Sequence, residues 1–294
     1  MDGLHELREL ILRHARHDNG TALDGVRLTT DAEPMAGRAG FSEPSLAIVA
    51  QGVKRTVLNG TPYDYRAGQY LIVSIGLPVI GSVLEASREQ PFAVFTLRLK
   101  PAVIASLLLE TPSRGRAPAF SGLAISDATP ELLDSAVRLV RLLDSPEDAP
   151  VLAAAYEREI TWRLLTGAQG AIVRQIGLAD GSLAQIARTI HWIRGHYTET
   201  LRIEDLARLA GMSLSTFHRH FRGATSMTPL QFQKQIRLQE ARSLLLAGSD
   251  DIAEVGYLIG YDSPSQFSRE YRRAFGAPPG RDALLLRGSS PAPG

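Results

Sequence analysis

Near its C-terminal end the chain carries one pattern of apolar and polar positions twice, fifty residues apart. Each copy is a short apolar helical pattern, a glycine and a second helical pattern whose aromatic residues stand four positions apart. These aromatics are Phe217 and Phe221 in the first copy, and Phe267 and Tyr271 in the second. Residues four apart share one face of a helix. The pattern therefore predicts two helix-turn-helix units, the motif that places its second helix in the DNA major groove.

The opposite face of each second helix carries matching polar residues. Two positions beyond an aromatic is roughly 200° of helical rotation, so these residues point away from the predicted core. They are Ser215, Arg219 and Arg222 in the first copy and Ser265, Arg269 and Arg272 in the second. Small polar residues followed by arginines suit contact with bases and phosphates. The alternative is a pair of ordinary helical hairpins with solvated arginines, and the agreement between two copies in register argues against it.

Helix boundary signals support the same interpretation. Ser213 and Ser263 are favourable N-caps, and Pro264 stands at a first helical position. We expect the aromatics to pack on apolar residues of the preceding helices, namely Leu206, Leu209 and Met212 in the first copy and Val255, Leu258 and Ile259 in the second. Between the copies, Thr228-Pro229 begins a predicted helix over 230–246 that ends at Gly248.

The N-terminal part follows a different period. A short amphipathic helix over residues 4–11 is followed by strand patterns from about Val26 to Ile125. Val53 to Leu58 leads into Asn59-Gly60, a strong hairpin signal. Many short strands at about ten-residue spacing predict a small sandwich or barrel.

Two amphipathic helices are predicted at Pro130 to Leu143 and Pro150 to Leu165. They could form a dimer interface or pack wholly within the chain, and the sequence leaves both open. We expect a domain limit near Gly181-Ser182. The domains are then an N-terminal one over 1–180, with possible dimerisation helices at 130–165, a helical one over 181–287, and a disordered tail over 288–294.

Composition narrows the possible functions. From Gly181 onward there are 14 Lys and Arg against 10 Asp and Glu, while the rest of the chain is net negative. This asymmetry is typical of a DNA-binding half joined to a separate sensing half. The chain has no cysteine, which excludes disulfides and thiolate chemistry. No apolar run approaches 18 residues, so no membrane partner is expected, and the predicted location is the cytoplasm.

The C-terminal segments resemble the AraC/XylS family of bacterial transcription regulators. The resemblance rests on Asp205-Leu206-Ala207 with Gly211-Met212-Ser213, on the run 237–245, on Gly260 to Arg269, and on Phe275-Gly276-Ala277-Pro278-Pro279. It implies two recognition helices in successive major grooves. The implied contacts to bases fall to Ser215, His218 and Arg219, then to Ser265, Gln266 and Arg269. Arg222 and Arg272 are expected to meet phosphates, and Thr216 completes the predicted DNA-binding set.

The N-terminal segments 43–54, 63–68 and 70–78 are similar to the N-terminal domain of one AraC-family branch, which implies a cupin-like barrel. The fold class is thus α+β with two domains, a cupin-like β-barrel with flanking helices and an all-α tandem helix-turn-helix domain. Many cupins are metalloenzymes, yet none of the seven histidines lies between residues 18 and 190. We therefore expect no metal, no cofactor and no enzymatic activity. The candidate effector-binding residues are Lys54, Tyr65, Tyr70, Glu85 and Arg98, each of which could equally lie on the solvent face.

The function that explains both halves is a transcription regulator whose barrel senses a small organic effector. A DNA-repair regulator that uses methyl transfer would need a cysteine acceptor. The remaining alternative is an effector-independent DNA-binding protein with a structural or dimerising barrel. The expected partners are double-stranded promoter DNA, a small-molecule effector, RNA polymerase and a second copy of the chain.

Overall fold

The computed structural model describes residues 3–110, 121–179, 181–249 and 251–288. The chain divides into an N-terminal unit, Met1–Ala187 with Gly223–Ser226, and a C-terminal unit, Arg188–Arg222 with Met227–Gly294. The predicted domain limit near residue 180 stays a prediction about which segments fold alone. The predicted tail over 288–294 lies outside the described residues from position 289 onward.

The described residues of the N-terminal unit form nine strands. They are β1 (Val26–Asp31), β2 (Met35–Ser42), β3 (Ser45–Gln51), β4 (Val53–Leu58), β5 (Thr61–Arg66), β6 (Gln69–Val73), β7 (Leu77–Glu85), β8 (Phe92–Arg98) and β9 (Leu123–Asp127). Two antiparallel sheets result, one in the order β1-β8-β3-β6-β9 and the other in the order β2-β7-β4-β5. This confirms the predicted cupin-like sandwich.

The predicted hairpin at Asn59-Gly60 joins β4 to β5. Leu58 pairs with Thr61 across the turn, so the loop has two residues. Both loop residues have positive φ, 49° at Asn59 and 81° at Gly60. A two-residue hairpin of this kind requires left-handed backbone at both positions, which Asn and Gly adopt at the least cost.

The described part of the N-terminal unit also contains five helices. They are α1 (Gly3–His14), α2 (Pro101–Glu110), α3 (Pro130–Arg141), α4 (Ala149–Thr166) and α5 (Gly170–Gly177). Helix α2 lies in a region where only strands were expected, because its apolar run shows no helical period, although Ile104 and Leu107 are buried. The apolar side of α3 is buried, and α3 packs against α1 and α4. This packing favours the intrachain alternative for these helices over a dimer interface.

The C-terminal unit is helical. The described helices of this part of the chain are α6 (Ser182–Gly195), α7 (Ile203–Leu209), α8 (Leu214–Thr225), α9 (Pro229–Leu246), α10 (Ile252–Leu258), α11 (Pro264–Phe275) and α12 (Pro279–Gly288). Residues 182–187 of α6 and 223–225 of α8 fall in the N-terminal unit. Helix α9 begins with a capping box formed by Thr228 and Gln231, which satisfies two backbone donors at its start. Helix α11 ends at Gly276, whose φ of 82° stops the helix. Helix α12 was not predicted from the sequence.

Buried aromatic side chains form the cores of the two helix-turn-helix units. The Phe217 and Phe221 ring centroids are 5.5 Å apart, and Phe221 stands edge-on to Phe232 of α9 at 5.5 Å. Phe267 and Tyr271 pack in the same way, 5.6 Å apart. Burying one such side chain contributes about 1.5–3 kcal/mol, so these rings are a principal source of stability for the unit.

Two expected core residues are on the surface instead. Leu209 is 43% exposed and Leu258 is 56% exposed. Both lie at the C-terminal ends of the short helices α7 and α10. Three-residue spacing from Leu206 and Val255 predicted burial, but each helix ends there and a neighbouring residue, Ala210 or Ile259, fills the core.

Candidate nucleic-acid interface

Helix α8 presents the first predicted reading face. Ser215, His218, Arg219 and Arg222 are exposed, while Phe217 and Phe221 on the other side are fully buried. Thr216 is half-buried, and its hydroxyl accepts a hydrogen bond from the Ser213 hydroxyl at 3.0 Å. Thr216 therefore takes part in the cap at the start of the helix as well as bordering the exposed face.

Helix α11 presents an equivalent face. Ser265, Gln266, Arg269 and Arg272 are exposed. The Ser263 side chain caps the helix by accepting from the Gln266 backbone amide. The structure therefore brings the predicted residues of each copy together on one exposed surface of a capped helix.

The arginines on these two faces are all exposed. Within the described part of the chain, no hydrogen bond or ion pair involves the guanidinium groups of Arg219, Arg222, Arg269 or Arg272. A free guanidinium carries five donors in a planar fork that matches guanine edges and phosphate oxygens. Four such groups on two matched helices are available for DNA.

Two other arginines hold the C-terminal unit together, and sequence reasoning missed their role. Arg237 of α9 donates to three backbone carbonyl oxygens, of Tyr197 at 2.6 Å, Gly260 at 2.7 Å and Glu199 at 3.0 Å. Burial lowers the pKa of Arg237, and the nearby Tyr261, Asp262 and Glu270 oppose that effect. These bonds join α9 to the loop before α7 and to the turn of the second copy.

Arg242 makes the second internal anchor. It forms a buried ion pair with Asp282 of α12, with Nε 2.9 Å from Oδ2, and its guanidinium lies 4.7 Å from the centre of the Phe275 ring. The only available signal in the sequence was the position of both arginines on the face of α9 that also carries Leu238 and Ala241, which are buried.

A third polar cluster fixes α11 from its other side. The Tyr261 hydroxyl donates to Glu270 Oε2 at 2.7 Å, and Lys234 of α9 lies 2.8 Å from Glu270 Oε1. Burial tends to raise the pKa of Glu270, but the hydrogen bonds from Lys234 and Tyr261 outweigh it and lower the pKa. Glu270 therefore stays ionised and ties α11 to α9.

The two turns differ in length and in packing. The second turn has one more residue between its glycine and its capping serine than the first, since Gly211 precedes Ser213 whereas Gly260 precedes Ser263. Both glycines have positive φ, 66° and 87°. A Cβ atom at Gly260 would lie 2.4 Å from the Thr198 carbonyl oxygen, while one at Gly211 would meet nothing within 4 Å.

In the N-terminal unit the structure separates the five candidate effector residues. Lys54 and Tyr65 face each other across the β4–β5 ladder, and Tyr65 is buried. Tyr70 is buried in the other sheet, where burial raises the pKa of its hydroxyl and a hydrogen bond with Ser126 opposes that shift. Glu85 and Arg98 are exposed, and Arg98 is paired with Asp24 at 2.9 Å. The geometry thus groups only Lys54 with Tyr65.

Burial dominates the chemistry of Tyr65. It raises the pKa of the hydroxyl to about 12, while a hydrogen bond with Thr56 at 3.3 Å acts in the opposite direction. The described residues contain no group of three or more histidine or acidic side chains able to hold a metal ion. They also contain no helix long and apolar enough to cross a membrane.

Comparisons with known proteins agree with this architecture. The model of the AraC-type transcriptional regulator N-terminus matches residues 22–172, and a helix-turn-helix domain model matches residues 206–282. The HTH-type transcriptional activator RhaS of Citrobacter koseri is 29% identical over 156 residues, covering 50% of this chain and 55% of that protein. The chain thus matches about half the length of such curated relatives.

Solved structures show the same fold at low identity. An apo form of ToxT from Vibrio cholerae has a TM-score of 0.54 with 13% identity, covering 91% of this chain and 99% of the other. An unsaturated fatty acid bound ToxT from the same species has a TM-score of 0.54 with 13% identity, covering 91% and 96%. The N-terminal model covers more than half of the chain, and its family is one of regulators rather than enzymes. The chain belongs to the AraC-type family of transcriptional regulators.

Proposed function

We propose that the chain is a sequence-specific DNA-binding regulator that reads two successive major-groove segments with α8 and α11. The observation that carries this proposal is the pair of equivalent exposed faces, each with two arginines that are free of internal partners among the described residues. A solvated surface with no role in binding has no reason to repeat the same residues at the same helical positions twice.

The position along each helix divides the residues by role. The first two turns of a recognition helix meet base edges in this motif. Ser215, His218 and Arg219 are therefore proposed as base readers, and so are Ser265, Gln266 and Arg269. Arg222 and Arg272, almost one turn further along, are proposed to contact phosphates, and Thr216 contributes at the border of the first face.

The experiment is selection of binding sites from a random-sequence duplex library with the purified chain, followed by footprinting of the winning sites. One copy of the chain should protect two segments centred about one helical turn, roughly 34 Å, apart on one face of the DNA. The consensus should be asymmetric, because the two reading faces carry different residues. A single short palindrome, read by one groove segment per chain, would contradict the proposal.

The N-terminal sandwich is proposed to bind a small organic effector that changes DNA binding. Two features support this: a lysine and a tyrosine meet on the inner side of one sheet, and a protein of the same fold has been solved with a fatty acid bound. The alternative is an effector-independent protein with a structural sandwich. A ligand that raises the unfolding temperature of the chain and also changes operator affinity distinguishes the two.

RNA polymerase and a second copy of the chain complete the proposed partners. The apolar face of α3 is buried inside the chain, so it does not support a dimer interface at this helix. Sedimentation of the chain with and without operator DNA measures whether a dimer forms. Transcription from an operator-bearing template with purified polymerase measures the other contact.

A further inference from the structure

Lys54 places a positive charge on the inner side of the sheet β2-β7-β4-β5. Along β4 it shares one face with Thr56 and Leu58, which are both buried. Its cross-strand neighbours are Tyr65 on β5 and Val83 on β7, also both buried. Because side chains alternate between the two faces of a strand, these residues all point between the two sheets.

The surroundings of the Lys54 side chain are apolar and aromatic. Its Nζ lies 5.9 Å from the centre of the Phe92 ring, which is fully buried. Gly81 of β7 lies beside the stem, since a Cβ atom there would be in van der Waals contact with Lys54 Cε at 3.7 Å. The ammonium group is thus directed toward an aromatic ring rather than toward bulk water.

The Lys54 ammonium group lacks a contacting counter-ion in the part of the chain that the structure describes. Among the residues that the structure describes, no hydrogen bond and no ion pair involves its ammonium group. Lys100 shows the usual arrangement in the same unit, with Glu157 at 2.8 Å and Asp24 at 3.0 Å. A desolvated charge without a hydrogen-bonded partner is costly, and such groups concentrate where a protein binds something.

The groups that act on Lys54 through space are few. Burial lowers its pKa, the charge of Asp31 at the end of β1 opposes that effect, and Arg27 of the same strand adds to it. Asp31 stands in register with Phe92, and burial raises the pKa of its own carboxyl. Tyr65 and Tyr63 are the titratable groups on the same face of the neighbouring strand β5, opposite Lys54 and Thr56 in the register. Arg38 of β2 acts on the Asp31 carboxyl as well, so the charged groups that act on this neighbourhood besides Lys54 are Asp31, Arg27 and Arg38.

We propose that the inner face of the sheet at Lys54 binds an organic monocarboxylate, whose carboxylate pairs with the Lys54 ammonium while its apolar part contacts Phe92 and Val83. This deepens the proposed effector function and rests on it. A monoanion is favoured because Asp31 would repel a second negative charge, and the apolar neighbours favour a carbon skeleton over an inorganic anion. The bound carboxylate stabilises the protonated lysine, so binding takes up protons when the free amine is partly neutral.

The test uses the full-length chain and matched pairs of probes that differ only in charge. Octanoate is compared with octanamide, and benzoate with benzamide, by titration calorimetry in two buffers of different ionisation enthalpy. The variants are Lys54→Met and, as a matched control, Arg55→Met, which removes the next charge along β4, where Arg55 pairs with Asp64 at 2.6 Å. Lys54→Arg serves as a rescue that keeps the charge.

We expect at least one acid to bind while its amide does not. Because burial lowers the pKa of Lys54, proton uptake on binding, seen as a heat that depends on the buffer, should grow as the pH is raised. Lys54→Met should weaken the affinity for the acid by about tenfold or more, which is the usual loss when a charge-assisted hydrogen bond is removed. Arg55→Met should leave binding unchanged, and Lys54→Arg should retain it. Circular dichroism and thermal unfolding confirm that each variant is folded.

Three results would overturn the anion site. The first is that no acid binds the wild-type chain, and the second is that the amides bind as tightly as the acids. The third is that Lys54→Met and Lys54→Arg bind the acid with equal affinity. If no acid bound but a neutral compound altered operator affinity, effector sensing would be supported and the anion site contradicted. Conversely, lysine-dependent binding of an acid with no effect on operator affinity would support the site and contradict its role as an effector site.

Discussion

The hydroxyl of Tyr271 donates a hydrogen bond to Asp282 Oδ2 at 2.8 Å, and this contact joins the second recognition helix to the last helix of the chain. The same carboxylate receives Arg242 of α9. Burial raises the pKa of the Tyr271 hydroxyl, and the neighbouring Asp282 carboxylate raises it further. The hydroxyl is therefore a permanent donor, and α9, α11 and α12 meet at one buried carboxylate.

Tyr271→Phe should lower the free energy of unfolding of the C-terminal unit by about 1–3 kcal/mol, because it leaves a buried carboxylate with one donor fewer. Urea unfolding followed by circular dichroism measures the change. The control is Tyr257→Phe, since Tyr257 is exposed on α10. Equal effects of the two substitutions would show that the buried hydrogen bond contributes nothing.

The two turn glycines should differ in their tolerance of a side chain. Gly211→Ala should cost about 1–2 kcal/mol, because only the left-handed backbone is strained. Gly260→Ala should cost roughly 3 kcal/mol or more, because a methyl group adds overpacking against Thr198 to the same strain. Thermal unfolding of the two variants gives the comparison. A cost at Gly260 no larger than that at Gly211 would contradict the close approach.

The four exposed arginines should separate into two classes of effect. Arg219→Ala and Arg269→Ala should each relax preference at a different position of the site, by about 1–3 kcal/mol of discrimination. Arg222→Ala and Arg272→Ala should weaken all sequences alike and reduce the slope of log affinity against log salt by about one unit. Competition binding with single-base variants of the selected site measures both. If all four substitutions changed only general affinity, the assignment of base readers would be wrong.

The stability of the C-terminal unit should fall as the solution is acidified below the usual pKa of histidine. Burial lowers the pKa of His220, and the charge of Arg219 lowers it further. Because the folded-state pKa is lowered, the unfolded state takes up a proton at this group before the folded state does. The free energy of unfolding therefore falls as the pH drops from about 6.5 toward the lowered folded-state pKa. His220→Gln should flatten this part of the profile. Unfolding midpoints between neutral and mildly acid pH test it, with exposed His218→Gln as the control.

The helical region should bind its operator when separated from the sandwich. A fragment from about Ala179 to Gly294 keeps α6 whole and contains the buried aromatic clusters of both copies. We expect specific binding in a mobility-shift assay without any effector, because both reading faces lie on this fragment. A fragment that is folded by circular dichroism and shows no preference for the selected site would contradict this.

Sequence reasoning predicted the features that repeat or that follow a strict period. The paired aromatics, the serine caps and the hairpin at Asn59-Gly60 are local signals, and the structure confirms them. Helix α2 was missed because a continuous apolar run has no period that distinguishes a helix from a strand. Leu209 and Leu258 were misplaced because helical spacing gives no information beyond the residue where a helix ends.

The polar contacts inside the C-terminal unit were beyond the reach of any pattern. Arg237 and Arg242 look like solvated arginines in the sequence. Both are nevertheless bound to groups 23 to 40 positions away, as the contacts to Tyr197, Gly260 and Asp282 show. Likewise, only the strand register reveals that Lys54 lies beside Tyr65 whereas Arg98 pairs on the surface.

The three carbonyl contacts of Arg237 have a consequence for how promoters can vary. One guanidinium donates hydrogen bonds both to the segment before the first motif and to the turn of the second motif. We therefore expect the two reading helices to keep a fixed relative position. Inserting one base pair between the two recognised DNA segments rotates the second segment about the DNA axis by roughly 34–36° and moves it along that axis by about 3.4 Å, given ten to ten and a half base pairs per turn. Two helices held at a fixed relative position cannot both contact their segments after that rotation. Functional sites should therefore vary less in the spacing between the two segments than in the identity of several bases.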